Sequence, residues 1–221
     1  MVVGRGDGTC LGAPPARSSG TTVACVVTRG GQHEIGRGAL VAPDPPLADE
    51  LIRLRPPVPA DVDPITRACQ DPEIARFIPI PSPYHRHHAV DYVERTRREW
   101  AAGTRAAFAA VATDDDEPGV PLGVINLAVS GSTGNSAYWV APGCRGLGLA
   151  GRALRLVTRW GFDELGLAVV LLEIREENTA SIAVAASAGF HRAGRLDVNT
   201  TTGKTGGLIY SRLAAYPWID P

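Results

Sequence analysis

A strand, a tight glycine-rich turn and an amphipathic helix follow one another without a break in the run YWVAPGCRGLGLA, residues 138–150. The first turn of a helix leaves backbone N–H groups without partners, and the helix dipole favours an anion there. Gly146 and Gly148 carry no Cβ, so their backbone can approach a phosphate closely. The run therefore predicts a strand–turn–helix unit with a pyrophosphate cradle at the start of the helix.

Two common phosphate loops fit this run poorly. A Walker A loop requires GxxxxGK[ST], and neither its lysine nor its hydroxyl is present. The stretch 146–151, GLGLAG, matches the dinucleotide pattern GxGxxG, but it lies two-thirds along the chain and follows Pro142-Gly143. Too little chain remains after it for a full dinucleotide-binding fold. Taken alone, the loop could also be a helix start without a ligand.

The remaining pattern predicts one sheet flanked by helices. Asp71 precedes a proline and a glutamate, an order typical of a helix N-cap, and the apolar run 168–175 is typical of a central strand. This mixture of elements predicts an α/β (α+β) fold. Strands are predicted at 51–55, 105–112, 120–130, 135–141, 168–175, 190–198 and 207–213, and helices at 61–70, 71–77, 88–101, 147–165 and 179–188.

Composition limits the partners of the chain. Its 221 residues are 44% hydrophobic and carry a net charge of −1, which predicts one globular domain without an electrostatic footprint for nucleic acid or an acidic membrane. No window approaches the ~20 apolar residues of a membrane span, and the N-terminus lacks the order of a secretory signal. The four cysteines (Cys10, Cys25, Cys69 and Cys144) form no CxxC pair and are expected to be free thiols in a reducing cytoplasm.

Residues 1–49 differ from the rest because they are rich in Gly, Pro, Ser and Thr. Such a composition buries little surface, so a flexible N-terminal extension is expected there, followed by a folded domain over residues 50–216. The alternative is an added edge strand at 22–28.

Several motifs, in order, resemble one family. The run from Arg145 to Ala150 matches the R/Q-x-x-G-x-G/A motif of the GNAT superfamily of acyl-CoA N-acyltransferases. The longer stretch resembles its ribosomal-protein N-terminal (alanine/serine) acetyltransferase branch, with a Tyr-Trp strand before the loop, FDELGL at 162–167, ENTAS at 177–181 and AGF at 188–190. The resemblance is dense over residues 120–213, looser over 51–112 and absent over 1–49.

This resemblance implies a fold and a cosubstrate. The GNAT fold has a twisted mixed sheet, here of about seven strands, in which two strands splay apart and hold acyl-CoA. The cosubstrate would be acetyl-CoA or another acyl-CoA, without a metal. Asn178 would contact the pantetheine arm or its ordered water, a plain helix N-cap being the alternative. Backbone groups of Trp139, Val140 and Ala141 would bind the pantetheine amides, and N–H groups of Arg145, Gly146, Leu147, Gly148, Leu149 and Ala150 would bind the pyrophosphate.

Acetyl transfer to an amine requires removal of a proton from the ammonium, and a proton or hydrogen bond for the leaving thiolate. Glu173 lies in an apolar strand five residues before Asn178, and the resemblance implies that it is the base; a carboxylate that faces solvent or pairs with Arg175 is the alternative. The tyrosine that many members place four residues before the glycine of their GF pair is replaced by Ala185. Ser181 is the replacement candidate.

The segment 76–88, with Phe77 and Tyr84, is predicted to wall the acceptor pocket, and a surface connector is the alternative. His85, His87 and His88 fit no tetrahedral zinc spacing, so no metal site is expected. The acidic tip at 114–117 is expected to be solvated.

Taken together, the motifs predict a cytoplasmic N-acetyltransferase that transfers an acetyl group from acetyl-CoA to a primary amine by direct attack in a ternary complex. The acceptor would be a protein N-terminal α-amine or a small-molecule amine, and a homodimer is common in this branch. Two alternatives stay open. One is another acyl donor or a hydroxyl acceptor on the same scaffold; the other is a non-catalytic CoA-binding or assembly module.

Overall fold

The computed structural model describes residues 38–198 and 205–215, and within them one mixed sheet of eight strands is flanked by five helices. The predicted α/β class is confirmed, and the strand β1 adds to the seven expected. Residues 1–37 of the expected flexible extension, with the alternative edge strand at 22–28, lie outside the described residues. The strands are β1 Leu47–Ala48, β2 Ile52–Arg55, β3 Arg105–Ala112, β4 Gly123–Ser130, β5 Thr133–Val140, β6 Val169–Arg175, β7 His191–Val198 and β8 Thr205–Leu213. The helices are α1 Val62–Ala68, α2 Pro72–Phe77, α3 Arg86–Ala101, α4 Leu149–Asp163 and α5 Thr179–Ser187.

The order of the strands is β1-β2-β3-β4-β5-β6-β8-β7, and only β5 and β6 run parallel. These two strands pair over three residues each, from Thr133 opposite Val169 to Asn135 opposite Leu171. Beyond Asn135, β5 stays paired with β4, and beyond Leu171, β6 stays paired with β8. The two central strands therefore separate toward their carboxyl ends, as the resemblance implied. This gap is called the strand opening below.

A layer of helices covers each face of the sheet. Successive side chains of a strand point to opposite faces. Tyr138 accordingly packs in the core under α4 and α5, and Trp139 packs in a second core under α1, α2 and α3. In the parts of the chain that the structure describes, no helix combines the length and apolar character needed to cross a bilayer.

Local sequence explains where the helices begin. The Asp71 carboxylate accepts hydrogen bonds from the N–H groups of Glu73 at 2.7 Å and Ile74 at 3.3 Å, so the predicted N-cap of α2 is confirmed. Helix α4 begins at Leu149 rather than at the predicted residue 147. The reason is that Gly148 adopts the left-handed conformation, with φ of 74°, and no helix continues through it.

Buried arginines of β2 tie the sheet to α1 and to the β3–β4 hairpin. Arg55 binds Asp61 through two hydrogen bonds of 2.7 Å and donates to the carbonyls of Pro118 and Gly119. The neighbouring Arg53 pairs with Glu117 at 2.5 Å. The acidic tip is exposed at residues 114, 116 and 117, as expected, and arginines of β2 also anchor it.

The residues just before the predicted domain boundary pack against the domain. The Leu40 N–H donates to the Trp100 carbonyl at 2.9 Å, and Leu47–Ala48 pair with β2. Arg152 of α4 binds Asp49 at 2.9 Å and Glu50 at 2.6 Å. The described end of the predicted extension, from residue 38, is thus attached to the sheet.

The two described cysteines differ. Cys69 is a free thiol, as predicted, and burial raises its pKa to about 12, so it stays protonated at neutral pH. Cys144 is disulfide-bonded, so the prediction of a free thiol is wrong at this position. Separation along the sequence does not determine which cysteines meet in the folded chain, and this is why spacing failed here.

Candidate functional site

The glycine loop lies at the open end of the strand opening, between β5 and α4. Gly146 and Gly148 have φ values of 78° and 74°, and a Cβ placed on either would meet no atom within 4 Å. Gly148 is the N-cap of α4, and no side chain caps the helix. No side chain therefore occupies the first backbone N–H groups of α4, and helix starts of this kind bind anions in proteins.

The composition of this helix end fits a pyrophosphate. The first turn of α4 carries no acidic residue that would repel an anion. Leu149 and Ala150 are buried, at 7% and 4% exposure, and belong to the core under α4 and α5. Leu147 lies between the two glycines and is exposed. The predicted cradle thus has two glycines with positive φ and no acidic side chain beside it, and its role in pyrophosphate binding stays a prediction.

Arg145 opens the loop, but its side chain turns back into the protein. Its guanidinium pairs with Asp71 at 3.1 Å and donates to the Val140 carbonyl at 3.3 Å. Only 13% of the side chain is exposed. The backbone N–H thus remains the group that this residue offers to the predicted pyrophosphate, while the side chain joins the loop to α2.

The register of β4 and β5 decides which backbone groups face the strand opening. The Ala141 N–H donates to the Leu122 carbonyl at 2.8 Å, so the backbone N–H of Ala141 points toward the chain of β4 and away from the opening. Trp139, two residues earlier and opposite Val124, faces the same way by strand alternation. The polar groups of Val140 point to the other side. Of the three predicted backbone contacts with pantetheine, the one that faces the opening is therefore Val140.

Glu173 lies on β6, beyond the last pair with β5, and borders the strand opening. Leu172 and Ile174 belong to the core under α4 and α5, so Glu173 points to the opposite face. Its exposure is 8%, which confirms the predicted burial of this carboxylate. A buried carboxylate at the edge of a gap is a candidate base.

Gly207 of β8 provides the space that this carboxylate occupies. A Cβ at position 207 would lie 3.1 Å from both Cγ and Oε1 of Glu173. The sequence analysis missed this residue, although a glycine within a strand pattern often marks a close approach of another group.

Asn178 and Ser181 lie on the α4–α5 face, beyond the carboxyl end of β6. The Asn178 side chain accepts a hydrogen bond from the Ser181 N–H at 3.1 Å, so the alternative interpretation as a helix N-cap describes what the structure shows. Ser181 is fully buried, and its carbonyl accepts from the Tyr138 hydroxyl at 3.4 Å. Tyr138 of β5 therefore reaches α5, and it is a further polar group near the opening that the sequence analysis had not singled out.

Phe77 and Tyr84, the predicted wall of the acceptor pocket, are both buried in the second core, at 5% and 6% exposure. The Phe77 ring lies against two guanidinium groups, 4.9 Å from Arg76 and 4.7 Å from Arg175. Neither ring is open to solvent in this structure, and the role of both residues in the pocket stays a prediction.

The histidines at the start of α3 lie close to one another. The ring centroids of His87 and His88 are 3.9 Å apart. Desolvation and the neighbouring His87 and His85 lower the pKa of His88. Among the residues described, no group of three or more His, Cys, Asp or Glu side chains is arranged to hold a metal ion.

Comparison with solved structures identifies similar folds. The structure resembles Mycobacterium smegmatis RimJ in complex with CoA-disulfide, with a TM-score of 0.66 and 22% identity, over 74% of this chain and 82% of that one. It also resembles RimL, the ribosomal L7/L12 alpha-N-protein acetyltransferase, in complex with coenzyme A (TM-score 0.67, 15% identity, 76% of this chain and 96% of that one). A chimera of the spermidine N-acetyltransferase SpeG from Vibrio cholerae matches with a TM-score of 0.59 and 17% identity, over 74% and 96% of the two chains. At these identities the likeness shows the fold.

Comparison of the sequence gives the family. No curated protein matches the chain. The family model described as "Acetyltransferase (GNAT) domain" matches residues 52–191, which is more than half of the chain. The matched range contains the glycine loop, Glu173, Asn178 and Ser181, and the neighbours in structure include ribosomal-protein acetyltransferases, the branch that the sequence motifs resemble. The chain belongs to the GNAT family of acetyltransferases.

Proposed function

We propose that this enzyme transfers an acetyl group from acetyl-CoA to a primary amine by direct attack of the amine in a ternary complex. The observation that carries the proposal is that the glycine loop and the buried Glu173 carboxylate flank the same strand opening. The loop follows β5, and Glu173 lies on β6, so a thioester held along β5 comes to lie beside the carboxylate. The proposal places the protein in the cytoplasm, where acyl-CoA is available.

The donor is bound mainly by backbone groups. The N–H groups of residues 145–150 bind the pyrophosphate at the start of α4, where the helix dipole adds to the attraction. The Val140 N–H binds a carbonyl of the pantetheine arm along the free edge of β5, while the Val140 carbonyl stays engaged by Arg145. Asn178 stays engaged as the N-cap of α5 and borders the arm from that side.

The proposed base and the proposed hydrogen-bond donor for the thiolate lie on opposite faces of the sheet. Glu173 faces the α1–α3 side, and there it accepts a proton from the acceptor ammonium so that the amine becomes a nucleophile. Ser181 and Tyr138 lie on the α4–α5 side. Because Ser181 is fully buried in the absence of the donor, its hydroxyl gives a hydrogen bond to the leaving thiolate only after acyl-CoA displaces the start of α5. The pKa of serine lies far above neutral, so the proton itself arrives through water.

Two classes of acceptor suit this site. A protein α-amine has a pKa of about 7.7–8.0 and is partly neutral at pH 7, so it demands little of the base. A small alkylamine resembles the lysine ammonium, with a pKa of about 10.4, and depends on Glu173 far more strongly. Similar folds carry both activities, since RimL acts on a protein α-amine and SpeG on spermidine.

An acceptor panel tests the proposed reaction. The purified chain is incubated with acetyl-CoA and, separately, a peptide with a free N-terminus, the same peptide with a blocked N-terminus, spermidine and an amino alcohol. Thiol release and the mass of each product are measured. The proposal predicts release of thiol together with an acetylated amine. An ester product would show a hydroxyl acceptor, and no thiol release with any acceptor, despite binding of acetyl-CoA, would contradict the proposal and indicate a binding module.

Substitution in the glycine loop should weaken donor binding. In Gly146→Ala the new methyl group points into the space where the pyrophosphate lies, and the positive φ strains the backbone by ~1–2 kcal/mol. We expect the Kd for acetyl-CoA, measured by calorimetry, to rise about 10- to 100-fold. Gly166→Ala is the control, since Gly166 also has a positive φ, of 60°, with no atom within 4 Å of its Cβ position. The loop assignment is wrong if both variants bind acetyl-CoA as the wild type does.

Substitution of Gly207 should impair the chemistry and spare donor binding. In Gly207→Ala the added methyl group lies 3.1 Å from the Glu173 carboxyl oxygen and displaces it. We expect kcat to fall about 10-fold, as misplacing a general base does, with an unchanged Kd for acetyl-CoA. Gly194→Ala, on β7 with no atom within 4 Å of the new Cβ, should keep the wild-type kcat. Equal rates for the two variants would contradict this role of Gly207.

A further inference from the structure

Helix α2 is joined to the ends of the two splayed strands, directly at β6 and through Arg145 at β5. At its start, Asp71 pairs with Arg145, which follows β5, at 3.1 Å. At its end, the guanidinium of Arg175, the last residue of β6, lies 4.7 Å from the centre of the Phe77 ring and donates to the Arg76 carbonyl. Six helical residues span ~9 Å, about twice the ~4.8 Å between paired strands. Residues 71–77 therefore form a strap over the strand opening, called the α2 strap below.

The two oxygens of the Asp71 carboxylate bind different partners. Its Oδ1 accepts the N–H groups of Glu73 and Ile74, and its Oδ2 accepts from Nη1 of Arg145. The two paired side chains are 15% and 13% exposed, so the pair is shielded from most of the solvent. Arg145 also donates to the Val140 carbonyl. One guanidinium thus fixes the start of the glycine loop to β5 and to α2 together.

This attachment matters because the glycines of the loop have much conformational freedom when nothing holds them. Gly146 and Gly148 both have positive φ, and glycine has the most conformational freedom to lose. An anion site binds more tightly when its donors are already ordered, because less entropy is lost on binding. The Asp71–Arg145 pair supplies that order from outside the loop, without a contact to the pyrophosphate.

We propose that Asp71 is a positioning residue of the acyl-CoA site, acting through Arg145, and that the α2 strap links the donor loop to the strand that carries Glu173. The inference rests on the proposed function, because it takes the glycine loop as the site of the acyl-CoA pyrophosphate. Linkage is reciprocal: if the strap orders the loop, then binding of acyl-CoA stabilises the strap. The strap lies on the acceptor face, so donor binding also orders the wall that meets the acceptor.

The decisive variant is Asp71→Asn. Asparagine is an equally good N-cap and has the same shape, so α2 keeps its start while the charge that holds Arg145 is lost. We expect the Kd for acetyl-CoA to rise ~10-fold, the loss of one shielded charge-assisted hydrogen bond, with little change in melting temperature. The matched control is Asp63→Asn, which removes the partner of Arg86 in an exposed ion pair of 2.7 Å and should leave the Kd unchanged.

A double-mutant cycle shows whether Asp71 acts through Arg145. Arg145→Gln alone should also weaken binding, and adding Asp71→Asn to it should weaken binding no further, since the pair is already broken. Hydrogen exchange gives a second readout that a purely structural role of Asp71 would not change. Acetyl-CoA should protect the backbone amides of the α2 strap in the wild type and fail to do so in Asp71→Asn.

The outcomes separate this inference from the proposed function. If the wild type does not bind acetyl-CoA, the proposed function is wrong. If the wild type binds and Asp71→Asn binds equally well, or if the two losses in the cycle add, the strap inference is overturned and the function stands. Should Asp71→Asn not fold, Asp71→Ser takes its place, because serine also caps helices and carries no charge.

Discussion

Replacement of Glu173 by glutamine lowers kcat by ~10²–10⁴-fold, the usual contribution of a general base. Glutamine keeps the shape of the side chain beside Gly207 but cannot take a proton from the acceptor ammonium. Glu173 lies outside the glycine loop, so the Kd for acetyl-CoA should not change. The pH–rate profile should change as well, because the variant can use only acceptor amine that is already neutral, whereas the wild type also uses the ammonium.

Steady-state rates at saturating acceptor, measured over a range of pH together with calorimetry for acetyl-CoA, check this prediction. Glu176→Gln is the matched control, because Glu176 lies just beyond β6 and pairs with Arg195 at 2.8 Å on the surface. It should keep the rate and the pH profile of the wild type. A Glu173→Gln enzyme with an unchanged pH–rate profile would mean that another group is the base.

Replacement of Asp61 by asparagine lowers the free energy of unfolding by about 3–5 kcal/mol, the cost of leaving one partner of a buried ion pair uncompensated. The Asp61 and Arg55 side chains are 1% and 9% exposed and share two hydrogen bonds of 2.7 Å. Without the carboxylate, the Arg55 charge stays buried between β2, α1 and the β3–β4 hairpin. Typical domains have only about 5–15 kcal/mol of stability, so this one change endangers folding.

Denaturant unfolding measured by circular dichroism checks this loss, and Asp63→Asn is again the control. The Asp63–Arg86 pair has the same 2.7 Å separation, but its side chains are 61% and 65% exposed. An exposed pair contributes about 0–1 kcal/mol, because solvent screens both charges. If both variants lost the same free energy of unfolding, burial would not be the reason for the contribution of the Arg55–Asp61 pair to stability.

The parts of the fold that the sequence predicted are those with strong local patterns. The α4 helix and the β6 strand were found because apolar residues recur with the helical period in one and run continuously in the other. The start of α4 was misplaced by two residues, since Leu147 continues the apolar pattern while the left-handed Gly148 interrupts the helix. The strand β1 was missed because Leu47–Ala48 has only two residues and exists through its pairing with β2.

The candidate site divides in the same way. The glycine loop, Glu173 and the Asn178–Ser181 cap each lie in a short continuous stretch of sequence, so the sequence analysis could identify them. Gly207 and the Asp71–Arg145 pair depend on approaches between distant segments, and Asp71 and Arg145 are 74 residues apart. The choice of Val140 among the three predicted backbone contacts depends on the register of β4 and β5, because a shift of one residue would turn Trp139 and Ala141 toward the opening instead.

Calorimetric titration with acetyl-CoA and with S-acetylpantetheine, which lacks the diphosphate, tests the central claim most directly. The claim is that backbone N–H groups at the start of α4 bind the diphosphate and so hold the thioester at the strand opening. It predicts saturable binding of acetyl-CoA at one site and far weaker binding of S-acetylpantetheine. Equal affinities for the two thioesters, or no detectable association with acetyl-CoA, would contradict it.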